Sequence, residues 1–188
     1  FLVDRHTDEY GQLLIENLTP GRIVAQVRAD GYTEGSAVVE LENGVHGGAV
    51  VVLHPLSEPL TIDADVDSTV QREGVEVTIP ADSLVDELGQ PVTGDAAVTI
   101  VPLDPTGPGL GAMPGPLEGV TDVGGDVVNL ESIFMADVTV WKNGHRLQLA
   151  DGATATLRFD IPDALAGTYS PGDVIDAWSF DIARGVWQ

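Results

Sequence analysis

The sequence has no cysteine, a single lysine (Lys142) and few aromatic residues. Without cysteine there is no disulfide scaffold, thiol nucleophile, iron–sulfur cluster or cysteine zinc site. Eight Lys+Arg stand against 30 Asp+Glu, a formal net charge of −22. Such a chain offers no basic field to recruit nucleic acid or anionic lipid. It also lacks any apolar run near the roughly 18 residues that span a bilayer as a helix, so no membrane insertion is expected. The first residue is Phe1, and no charged segment followed by an apolar core and a small-residue cleavage site opens the chain. It therefore reads as a processed product or a cut from something longer.

What is present argues for a folded chain. Hydrophobic residues make up 43%, too many for a disordered polyanion. Residues 1–60 hold 9 acids and 3 bases, and residues 61–188 hold 21 and 5. An excess this large opposes compaction by self-repulsion. Salt relieves it, the Debye length falling to about 3 Å at 1 M. A saline, divalent-rich or cell-surface setting fits, as does a solubility charge on a large secreted protein.

The residue pattern is strand and turn. Runs rich in Val, Ile, Thr and Leu recur at the roughly 8–12-residue spacing of a β-sandwich: 12–17, 21–29, 35–41, 49–53, 74–79, 96–102, 136–141 and 153–160. Val75, Val77 and Ile79 alternate with Glu76 and Thr78, and Ala155, Leu157 and Phe159 alternate with Thr154, Thr156 and Arg158. Period two of this kind means one buried and one wet face. Asn143-Gly144, between Val138–Trp141 and Leu147–Leu149, is a strong hairpin signal. Asp30-Gly31, Asn43-Gly44, Leu88-Gly89 and Asp151-Gly152 mark further turns. With 22 Gly and 12 Pro, only residues 81–87 and 163–166 are expected to form single helical turns. Residues 102–126 are dense in Pro and Gly and predict a long loop. A boundary falls near residues 55–65, where Pro55 and Pro59 bracket Leu56-Ser57-Glu58.

Thr7-Asp8-Glu9-Tyr10-Gly11, Leu18-Thr19-Pro20-Gly21-Arg22 and Ala29-Asp30-Gly31-Tyr32 together resemble the carboxypeptidase regulatory-like (transthyretin-like) domain. That resemblance implies a small β-sandwich used as a folding or docking module, without peptidase residues. The family's usual opening strands have no counterpart here. An incomplete sandwich over 1–58 is therefore expected, its sheet completed by further chain or another polypeptide, since domains near 60 residues are marginal. Residues 74–94, from Gly74-Val75-Glu76-Val77-Thr78-Ile79-Pro80-Ala81-Asp82-Ser83-Leu84-Val85-Asp86 to Pro91-Val92-Thr93-Gly94, resemble the opening of ZU5-like β-modules. Ala177-Trp178-Ser179-Phe180-Asp181 with Arg184-Gly185-Val186-Trp187 resembles their closing segment. This implies a ZU5-like β-domain over 59–188, as in cartilage intermediate layer protein-like ectodomains and bacterial Rhs or teneurin-like surface proteins. No His-Phe-Ser site is present, so the self-cleavage of some such domains is not expected.

Candidate chemistry is sparse. Asp63, Asp65 and Asp67 alternate near the boundary. On a strand such carboxylates project to one face about 7 Å apart, within reach of one Ca²⁺. The alternative is a solvated edge whose charges discourage pairing. An EF-hand fails, because Ser68 and Gly74 occupy the positions that need Gly and Glu. His6, His46, His54 and His145 make no zinc-binding spacing, although His46 and His54 flank a strand near Glu42. No serine sits in a nucleophile-elbow context. Trp141, Trp178 and Trp187 serve as core plugs or as a sugar-stacking surface.

The expectation is an all-β chain of two consecutive β-sandwich modules, extracellular or at a cell surface. No catalytic site is expected, and no cofactor apart from Ca²⁺ at the joint. The leading function is structural or adhesive, positioning other domains of a larger protein. The alternatives are a scaffold or plug in an Rhs/teneurin-like shell and a carbohydrate-binding module. The expected partners are other domains of the same protein or a chain completing the first sheet.

Overall fold

Short apolar runs punctuated by glycine turns build strands throughout the computed structural model. It describes residues 4–103, 113–121, 125–161, 165, 167–170, 173, 175 and 177–188. In chain order the strands are β1 (Gly21–Val27), β2 (Gly35–Leu41), β3 (Leu60–Asp63), β4 (Ser68–Arg72), β5 (Val75–Ile79), β6 (Leu84–Val85), β7 (Asp95–Leu103) and β8 (Glu118–Val120). There follow β9 (Val127–Asn129), β10 (Met135–Lys142), β11 (His145–Arg146), β12 (Gln148–Leu149), β13 (Thr156–Phe159), β14 (Phe180–Asp181) and β15 (Val186–Trp187). The protein is all-β, and among the described residues no helix is long and apolar enough to cross a membrane.

Two sheets carry the main core. One has the order β11-β10-β7-β3 and the other β13-β5-β4, both antiparallel. Val75, Val77 and Ile79 of β5 bury their side chains in one cluster with Ile62 of β3 and Ala96, Val98 and Ile100 of β7. Each valine or isoleucine side chain taken out of water contributes about 1.5–3 kcal/mol. The alternation of β5 thus reports its single buried face. β7 does not alternate, because it is covered on both sides. Ala96, Val98 and Ile100 join the first cluster, and Val101 and Leu103 join Met135 in a second, flanked by Leu56, Met113 and Trp187.

Turn chemistry sets the registers. Asn143 and Gly144 take φ of 53° and 82°, the left-handed pair that closes a two-residue hairpin with the twist of its strands, here between Lys142 and His145. Glu73 and Gly74, at 46° and 80°, do the same between β4 and β5. β14-β15-β8-β9 and the short β12-β6 pair complete the second part, β15 meeting β8 in parallel. β1 and β2 form a separate two-stranded sheet with Gly21 opposite Leu41 and Val27 opposite Gly35.

Several expectations give way. Residues 12–17 and 49–53 have strand composition but form no strand. Residues 81–87 make no helical turn. Asp82 lies at φ 56°, the Ser83 hydroxyl donates to Pro80 O at 2.6 Å, and β6 follows at once. The 102–126 segment is not loop throughout, since β8 lies inside it; residues 104–112 and 122–124 lie outside the described residues. So do 163, 164 and 166 of the second expected helical turn.

Candidate functional site

The β1–β2 hairpin is seated on the second part by groups that alternate along its strands. Arg22 Nη1 donates to Arg184 O at 2.6 Å and Gln26 Nε2 to Ile182 O at 3.0 Å. Ser36 donates to Pro114 O through both its amide and its hydroxyl. Between these polar contacts Val24 and Val38 close on Gly185. A Cβ there would stand 2.8 Å from Val38 and 3.2 Å from Val24, at a φ of +64°. Only glycine combines that approach with that backbone. The receiving turn is braced by Asp181, whose Oδ1 accepts the Ala183 and Arg184 amides, each at 3.0 Å. The connecting stretch is tied to both sides. Thr33 N donates to His54 O and Leu56 N to Gly31 O, each at 2.8 Å, while Ile100 N donates to Ser57 Oγ at 3.1 Å. The outer edges of β1 and β2 pair with no strand among the described residues.

Beside this seam lies a cleft of about 960 Å³. One wall comes from β10–β11 (Val138, Val140, Trp141, Arg146), another from β5 and β13 (Val77, Leu157), and residues 28–34 approach from the hairpin. A charged relay crosses it. Glu34 accepts from Arg28 Nε at 2.9 Å and from Arg146 Nη1 at 3.0 Å. Arg146 Nη2 reaches Thr139 Oγ1 at 3.5 Å, and that hydroxyl donates to Asp137 Oδ1 at 2.9 Å. Burial pushes the Asp137 carboxyl above its ordinary value. The Thr139 bond and the Arg146 charge pull it down, and Glu34 adds to the rise. The Trp141 indole N–H is buried with no acceptor among the described residues.

Asp63, Asp65 and Asp67 do not share a strand face. β3 ends at Asp63 and the next residues turn. Each carboxylate serves a backbone amide. Asp63 Oδ1 accepts from Asp65 N at 3.0 Å, Asp65 Oδ2 from Gly94 N at 3.1 Å, and Asp67 Oδ1 from Ala81 N at 2.9 Å. The Ala64 side chain between them is buried. Among the described residues no group of three or more His, Asp or Glu is placed to hold a metal ion. Two tryptophans are committed to packing. Trp178 lies over Gly119, where a Cβ would be 2.7 Å from its ring. Trp187 meets Phe180 edge-on at 5.1 Å and donates to Pro116 O at 3.0 Å. Trp141 lines the cleft.

Comparison with protein-family models, with curated proteins and with solved structures finds no match to this chain. Sequence reasoning passed over Arg28, Glu34, Asp137, Thr139 and Arg146. Their only signal was rarity: two of eight bases in an acidic chain, and a carboxylate inside an apolar strand.

Proposed function

We propose that the chain is a non-catalytic structural module of a larger extracellular or surface protein, in which the β1–β2 hairpin orients neighbouring domains. The observation that carries this reading is the seam. Two side chains from β1 bond to carbonyls of the 182–185 turn, with two valines packed on Gly185 between them. A two-stranded sheet is marginal alone, so seam and sheet support each other. The outer edges of β1 and β2, which no strand covers among the described residues, fit a sheet that further chain or another polypeptide completes. The transthyretin-like and ZU5-like resemblances of the two parts point the same way. The carbohydrate alternative has only Trp141 left to carry it, because the other two indoles are packed.

The test is the double variant Arg22→Ala with Gln26→Ala. Amide exchange in residues 21–27 and 182–185 should accelerate together, and the radius of gyration should rise, while the amides of β5 and β7 keep their protection. Unchanged exchange at the seam would remove the positioning role. Turnover in a broad hydrolase panel would replace it with catalysis.

A further inference from the structure

We infer that the outer edge of β10 is a docking edge for an extended basic polypeptide segment, which adds a strand along Ala136 and Val138 and seats alternate apolar side chains in the cleft. The backbone directions carry the first half. Val140 O accepts from Leu147 N at 2.8 Å, on the side of β10 away from β7. In an antiparallel ladder, residues two apart present N–H and C=O to the same side. The amides and carbonyls of Ala136 and Val138 therefore point away from β7 as well. β11 covers only Trp141 and Lys142, and no backbone partner meets Ala136 or Val138 among the described residues. Unpaired strand edges of this kind template β-augmentation.

The cleft supplies the side-chain half. Its apolar wall includes Leu149 and Leu157, which remain 38% and 43% exposed. A strand of about five residues along Met135–Thr139 runs roughly 17 Å and turns every second side chain to one face. Those side chains would cover Leu157 and its neighbours. A small apolar molecule would fill the space but leave the β10 amides unsatisfied.

Charge selects the partner. Glu34 is already held by Arg28 and Arg146. Asp30 and Glu87 also line the cleft, and neither forms an ion pair among the described residues. The whole chain carries −22, a field that draws a basic segment and opposes a second copy.

The probe is a fluorescent peptide of about seven residues alternating valine and lysine, long enough to cover the edge. Saturable binding is expected, weakening as sodium chloride is added, with new exchange protection at the Ala136 and Val138 amides. The same peptide N-methylated at its ladder-facing amides should bind at least tenfold more weakly, and so should Leu157→Asp protein with the unmodified peptide. Equal binding of the methylated peptide, or no binding by the unmodified one, overturns the proposal. So does binding that leaves Ala136 and Val138 unprotected. A valine–glutamate peptide that binds as tightly overturns the basic partner. A dimer that protects these amides without peptide assigns the edge to a second copy instead.

Discussion

Asp137 shows how one side chain couples the relay to pH. Its carboxyl lies above the ordinary 3.8 because burial disfavours the charged form. The folded chain thus holds this proton more tightly than the unfolded chain does. Asp137 then favours folding at low pH, and that contribution is lost as pH rises from 3.8 through the folded value. Asp137→Asn keeps an acceptor for the Thr139 hydroxyl and removes the charge. The melting temperature of the variant relative to the parent should therefore climb across that interval and level off above it. A difference that is flat from pH 4 to 7 would show that the carboxyl titrates normally. Asp67 is a residue of the other kind, an exposed group holding a turn. Asp67→Ala strands the Ala81 amide and should cost about 1 kcal/mol in urea unfolding, Asp67→Asn less. Because each of these carboxylates, Asp63, Asp65 and Asp67, already holds a turn amide, EDTA should leave the melting temperature of the parent unchanged; a fall would show that a cation is bound at this joint.

The elements repay their local rules, and their failures have physical causes. Gly144→Ala places a side chain at φ 82° and should cost about 1 kcal/mol or more, read from denaturant midpoints. Leu84→Ala, at a side chain buried to 1%, should cost about 2–5 kcal/mol. β5 was legible through its apolar period, β2 through its composition, and the Asn143-Gly144 hairpin because its turn demands those residues. β7 was legible only as apolar composition, since burial on both faces erases its alternation. Residues 12–17 read as a strand because Leu13, Leu14 and Ile15 have the composition of one, but strand formation needs a ladder partner that the described chain does not supply. Residues 81–87 misled through Ala, Asp and Leu, which suit a helix start. Asp82 instead turns left-handed and Leu84 is drawn into the core. The cleft was illegible for another reason. Most of its residues come from three distant stretches, 28–34, 77–87 and 138–157, and only the tertiary fold brings them together.

Across the whole molecule, charge is the force that reaches furthest. At about 0.01 M salt the Debye length is about 30 Å, so the acids repel one another across the entire fold. At about 0.15 M it is near 8 Å, and only neighbours interact. Local ion pairs cannot offset the repulsion, because eight bases face 30 acids. Stability should therefore rise with sodium chloride, most steeply at the low end where screening changes fastest, and then level off. The hydrophobic clusters are insensitive to this range, so the gain measures repulsion alone. A control separates it from ion-specific effects: replacing an exposed acid that forms no ion pair among the described residues, such as Glu131, with lysine should raise the melting temperature at low salt and have little effect at high salt. The same field acts on partners. The basic segment inferred for the β10 edge should lose association rate with salt while the fold itself gains stability. The two trends run in opposite directions with one Debye length, which ties both to the −22 charge. If thermal scans showed stability flat or falling as salt is added, the acids would have to be neutralised within the fold, and neither trend would hold.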